Sequence, residues 1–98
     1  MKREYVVVLV TDLEGVVKAD RDSKSRVGRV VLIDDSEIKE GKPFFVECIK
    51  PGYLKSFITS CVGDLTHADD GLVIKTENSV YYFVNKEDFE RDKNVIFK

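Results

Sequence analysis

Tryptophan is absent from this chain, and histidine and methionine occur once each. A lone imidazole, His67, leaves little for chemistry that needs a positioned general base or a nitrogen-rich metal site. Two cysteines, Cys48 and Cys61, are too sparse for a secreted disulfide scaffold and lack Cys-x-x-Cys spacing, so they read as thiols in a reducing cytoplasm. The 6 glycines stand singly, which excludes a Gly-rich phosphate cradle and with it nucleotide hydrolysis of the G-x-x-x-x-G-K type. Charge of one sign is missing too: Lys plus Arg number 16 against 18 for Asp plus Glu, so the chain has no overall positive field for coating nucleic acid. No apolar run approaches the ~18 residues of a membrane span. The start, Met1-Lys2-Arg3 followed by Tyr5 to Val10, has the basic flank of a signal peptide, but Asp12 and Glu14 cut its apolar stretch short of the ~7 to 15 residues of an h-region. The expectation is a cytoplasmic protein with no membrane partner and no cofactor.

What is present suits a single small folded domain over residues 1–98. Hydrophobic residues make up 43% and charged residues 35%, an ordinary balance for a chain with a core. Tyr5 to Thr11 is β-branched and apolar, too short for a typical helix, and reads as a buried strand that Val16 and Val17 extend past a bend. Lys18 to Arg26 holds one alanine and no larger apolar residue, so it is expected to be a solvated loop, the least ordered part of the chain. Arg29 to Ile33 and Phe44 to Ile49 are further strands, joined by the polar segment 34–43. Residues 53–62 fit a helical or an extended spacing, and their β-branched and hydroxyl residues favour extended structure from Phe57 to Leu65. Asp69-Asp70-Gly71 is expected to be a hairpin turn with glycine at positive φ, pairing Leu72–Thr76 back on that strand. Glu77-Asn78 makes a second turn before Ser79–Val84. Asn85 is placed to cap a helix over 86–92 pinned by Phe89, after which Val95, Ile96 and Phe97 return to the body.

Short strands separated by turn signals, with no long helix between them, predict an all-β, mainly antiparallel unit: a small closed or partly open β-barrel, SH3-like or OB-like, with a short C-terminal helix. Closure has a physical motive, because an open edge bearing YVVVLV would template aggregation.

The segment Thr59-Ser60-Cys61-Val62, a hairpin, then Thr76-Glu77-Asn78-Ser79-Val80-Tyr81 resembles a T-S-x-V … T-x-N-S-x-Y pattern of small bacterial and phage β-barrel proteins. The resemblance covers roughly the last third of the chain's body. It implies the barrel and carries no activity, so Thr76, Asn78 and Ser79 are expected to hold a turn and Tyr81 to lie in a strand.

Candidate functional residues fall into three groups. His67 with Asp64, Asp69 and Cys61 would make a metal or hydrolytic site, against which stands the ordinary reading of a solvated hairpin tip. A Cys48 or Cys61 nucleophile would need His67 in reach, yet apolar neighbours flank both thiols as in a packed core. Asp20-Arg21-Asp22 begins like a calcium loop, but Lys24, Ser25 and Val31 stand where ligands and the glycine belong. Arg21, Lys24, Arg26 and Arg29 form a local basic excess that offers a surface to RNA or single-stranded DNA, with tyrosines for stacking. Tyr81, Tyr82 and Phe83 in a row must place rings on both faces of a strand. With Tyr53 they are the candidate surface for a protein partner or a second copy. The leading expectation is a non-enzymatic binding module working by protein–protein contact or self-association. Nucleic-acid binding through 18–29 and a small metal-dependent or hydrolytic enzyme around His67 are the alternatives.

Overall fold

The apolar run near the start forms strand β1, Arg3–Thr11, and is followed by β2 (Val30–Ile33), β3 (Pro43–Lys50), β4 (Phe57–Ala68), β5 (Gly71–Thr76) and β6 (Val80–Asn85). The computed structural model describes residues 1–52 and 55–96, the segment 92–96 by its backbone alone. Each strand pairs antiparallel with its sequence neighbours, and β6 returns to β1, from Tyr5 opposite Asn85 to Thr11 opposite Val80, closing the sheet into a barrel. The order is a plain meander, without the long return connection of a Greek key. The C-terminal helix α2, Lys86–Ile96, completes the all-β architecture expected from the strand pattern.

Alternation fills the interior. Phe44 and Val46 of β3, Leu72 and Ile74 of β5, and Tyr81 and Phe83 of β6 all point into one core. On β1 both Val7 and Val10 face inward, which strict alternation forbids; the register shift between Val7 and Leu9 supplies the change of parity.

The β3–β4 seam is irregular. Its register joins Pro43 to Cys61, Phe45 to Ile58 and Val46 to Phe57, with a shift along the way. Hydroxyls complete the ladder where backbone partners are missing: Thr59 Oγ1 accepts from Phe44 N at 3.1 Å and Ser56 Oγ from Cys48 N at 2.9 Å. Beyond the seam, the connection 34–42 covers the free edge of β4. Gly41 N donates to Val62 O at 2.7 Å, Val62 N to Lys42 O at 2.9 Å, and Ile38 packs on the core. Covering an edge in this way removes a template for intermolecular pairing.

Two aspartates hold that cover. Asp34 accepts from Ser36 Oγ at 2.6 Å, Ser36 N at 3.0 Å and the Met1 amine at 3.0 Å. The Ser36 hydroxyl, then the amine and the Ser36 amide, pull its carboxyl from 3.8 to about 2. Asp35 bonds His67 Nε2 at 2.9 Å, and that bond lowers its pKa as well. Both carboxyls bind protons less readily in the folded chain than in the unfolded one. Their contribution is therefore full above the unfolded value of 3.8 and lost as pH falls toward 2. Melting temperature, followed by far-UV circular dichroism, should fall steeply between about pH 4 and about pH 2, and Asp34→Asn should flatten that fall.

Several local expectations are corrected. The segment read as a solvated loop contains a helix, α1 (Arg21–Arg26), capped by Asp20, whose carboxylate accepts from Ser23 N at 3.1 Å. Strand β4 runs on to Ala68, and its far half, Val62–Ala68, is what pairs with β5. Gly71 is not at positive φ; it is the first residue of β5, opposite Ala68, with Asp69-Asp70 as the whole turn. Asn85 ends β6 and donates its side-chain amide to Asp88 at 3.1 Å instead of accepting from the helix backbone. Val95 and Ile96 continue the backbone of α2, because extending an existing helix costs far less than starting a new element, and Phe97 lies outside the described residues.

Candidate functional site

The three consecutive rings on β6 are split by the strand's alternation. Tyr81 and Phe83 are enclosed, at 3% and 2% exposure, and stack at 6.1 Å between centroids. Tyr81 also stacks on Phe57 at 6.0 Å, and Tyr5 meets Phe83 edge-on at 6.5 Å. These two candidate contact residues therefore offer no surface to a partner. Tyr82 faces outward, half-buried, opposite Leu9 on β1 and Val73 on β5. Tyr53 lies outside the described residues.

The four basic candidates are also divided. Arg21 and Lys24 are exposed on α1. Arg29 is 8% exposed and spends its donors on the fold: Nε to Ser25 O at 2.9 Å, Nη1 to Lys55 O at 2.8 Å and Nη2 to Ser25 Oγ at 3.2 Å. It ties the end of α1 to the chain leading into β4. Arg26 lays its guanidinium 4.4 Å from the Phe57 ring centroid and donates to the Tyr81 hydroxyl. A cation against an aromatic face with its stem packed on the barrel stabilises by cation–π attraction and burial together. So Arg26 and Arg29 close one end of the barrel, and only Arg21 and Lys24 remain free to meet a polyanion.

Around His67 no site assembles. The imidazole is exposed and pairs with Asp35, and among the described residues no group of three or more His, Cys, Asp or Glu side chains comes within ligating reach. Cys61 lies six residues before His67 on the same strand, which at ~3.3 Å per residue is about 20 Å away. Burial, then the nearby Glu77 carboxylate, pushes the Cys61 thiol up, opposite to what a thiolate nucleophile needs. Cys48 points its sulfur at the Lys50 carbonyl, 3.6 Å away. A cleft of about 550 Å³ lies between the start of β1 and α2, with Glu4, Glu87, Asp88 and Glu90 set around Arg3 and Lys86. Lys86 is spent on Glu4 at 3.4 Å and Glu90 at 3.9 Å, so the cleft is a network of surface ion pairs.

Sequence reasoning passed over the exposed apolar residues. Phe45 is 57% exposed and Ile58 62% exposed, and they stand directly opposite each other on the outside of the β3–β4 seam. The signal was available: Phe44-Phe45 and Phe57-Ile58 are adjacent apolar pairs in strands, and alternation sends one member of each outward. A second group, Leu13, Val16, Val17 and Val27, falls between residues 13 and 27 at exposures of 44% to 62%. Compared with family models, with curated proteins and with solved structures, the chain matches none of them.

Proposed function

We propose that this chain is a non-enzymatic binding module that works through protein–protein contact. The observation behind the reading is the exposed Phe45–Ile58 pair: two large apolar side chains, set cross-strand on an outer barrel face, in a molecule that buries the rings of Tyr5, Phe44, Phe57, Tyr81 and Phe83. Apolar side chains gathered in this way on a rigid strand pair are the usual anchor of a protein contact. A partner laid across β3 and β4 would also shield the register shift between Pro43 and Phe45.

RNA or single-stranded DNA binding through residues 18–29 has less behind it. Two of its four cations are engaged by the barrel, and Tyr81, its nearest stacking ring, is enclosed. An enzyme around His67 has, among the described residues, the Asp35 pair to draw on.

The test is a double variant, Phe45→Thr with Ile58→Thr, which puts a β-branched residue, favourable in a strand, at each exposed position. Its melting temperature should stay close to that of the parent, since exposed substitutions usually change stability by about 0.5 kcal/mol or less. Proteins that co-purify with the parent chain should be depleted by about tenfold or more, the loss expected when a central apolar anchor is removed. Equal recovery of the same partners on the double variant would defeat the reading.

A further inference from the structure

Four of the large apolar side chains that the barrel leaves exposed, Leu13 at 48%, Val16 at 62%, Val17 at 61% and Val27 at 44%, fall between residues 13 and 27. The backbone that carries them is fixed by polar contacts. Asp12 is the hub at one end. Its Oδ1 accepts from Glu14 N at 2.9 Å and Val16 N at 3.0 Å, and its own N–H donates to Val16 O at 2.8 Å. Gly15 makes the reversal at φ 91°, a left-handed conformation in which a side chain would be strained. Val17 then bridges to Thr11, and Lys18 donates to Val10 O at 3.0 Å and, through Nζ, to Ser79 Oγ at 2.9 Å. At the other end Gly28 N donates to Val7 O at 2.7 Å, just beyond Val27. Lys18 and Gly28 thus sit on the same edge of β1, three strand residues apart, which is about 10 Å. The tip 12–16, Val17, α1 and Val27 form a continuous strip along that edge.

The charges at the two ends of the strip have opposite sign. At the tip, Asp12, Glu14 and Glu77 line a hollow of about 360 Å³ together with Leu13 and Asn78. Along α1, Arg21 and Lys24 are exposed; Asp22 lies among them, while Asp20 is spent capping the helix. An acidic tip and a basic helix, with Val16 and Val17 between them and Leu13 and Val27 at their flanks, make a surface complementary to itself. A two-fold rotation brings the acids of one copy onto the cations of the other, twice, with Val16 and Val17 between. A net charge of -2 leaves little overall repulsion to overcome.

We propose that the strip from Leu13 to Val27 is a two-fold interface between two copies of this chain. The proposal rests on the reading of the chain as a protein-binding module and adds a surface separate from Phe45–Ile58 and an occupant for it. Because the apolar residues are held in place before contact, little ordering cost is left at association, and the charged ends set orientation and salt sensitivity.

Sedimentation velocity of the full chain over a wide concentration range supplies the test. A dimer that weakens as salt is raised is expected, and Val17→Asp or Val16→Asp should render it monomeric. Charge reversal checks the geometry. Glu14→Lys with Glu77→Lys should weaken self-association by about tenfold or more, and so should Arg21→Glu with Lys24→Glu. Mixing the two variants in equal amounts should restore a dimer, because each contact then regains opposite charges. Far-UV circular dichroism confirms that each variant is folded. A chain that stays monomeric at all concentrations overturns the interface and leaves partner binding at Phe45–Ile58 standing. A dimer unaffected by Val17→Asp, one abolished by Phe45→Thr with Ile58→Thr, or a mixture that fails to recover also overturns it.

Discussion

Gly71→Ala should unfold most of the barrel's stability margin, although it adds a single methyl group. A Cβ built at Gly71 would lie 1.8 Å from the Phe83 carbonyl oxygen, 2.8 Å from its carbon and 2.9 Å from Val84 Cα. All three are backbone atoms of β6, so no side chain can swing away to make room. Gly71 is opposite Val84 on one side and Ala68 on the other, and displacing it disturbs the β4–β5 and β5–β6 ladders together. The expected loss is about 4 kcal/mol or more, the range reached when a substitution fails for a specific steric reason. A domain of this kind holds only about 5 to 15 kcal/mol in total. The melting temperature should therefore drop by roughly 15 °C or more. Gly63→Ala is the control. Its nearest obstacle, Lys75 O at 3.7 Å, is an ordinary contact, and the change should cost under about 1 kcal/mol. Thermal melts of the two variants side by side check both values; a Gly71→Ala protein melting near the parent temperature would mean that β5 and β6 do not approach as described.

Phe83→Ala should be nearly as damaging, for a different reason. The ring is 2% exposed and joins the Tyr81 stack to the edge of Tyr5, so its removal opens a hole lined by residues that are themselves packed from all sides. Truncating such a ring costs about 3 to 5 kcal/mol, the lost transfer energy plus the cavity. The melting temperature should fall by roughly 15 to 30 °C. The neighbouring Tyr82→Ala should cost only about 1 kcal/mol, since Tyr82 lies half-buried on the outer face between Leu9 and Val73. Comparable losses at both positions would show that alternation does not divide this strand into an inner and an outer face.

These two positions also separate stability from binding. The residues proposed for contact, Phe45 and Ile58 on the seam and Leu13 to Val27 on the strip, have side chains outside the core cluster, so their substitution can be read as a change in association. The same division explains how the candidate surface on β6 changed hands. Tyr81 and Phe83 went inside with Phe57, and exposed apolar surface lies instead at Phe45, Ile58, Val16 and Val17, each beside an apolar neighbour, and at Leu13 and Val27, which stand singly.

The segment 18–29 shows most clearly where reading along the chain stops. Hydrophobic periodicity counts apolar side chains, and this segment has few, so it reads as solvated. Arginine packs by other means: Arg26 uses the face of Phe57 and the hydroxyl of Tyr81, and Arg29 uses the carbonyls of Ser25 and Lys55. None of these partners is a neighbour in sequence except Ser25, and no local pattern announces them.

Strand content, the polar connection between β2 and β3 and the meander of β4 to β6 follow from residue order, because alternation, turn chemistry and composition act over a few residues at a time. Closure of β6 onto β1, the choice of Phe83 over Tyr82 for the interior, the close approach that demands glycine at 71, and the burial of Arg29 were decided only when distant segments met. Each depends on what lies opposite across the barrel, and a chain read from one end to the other carries no record of its partner until the sheet has closed.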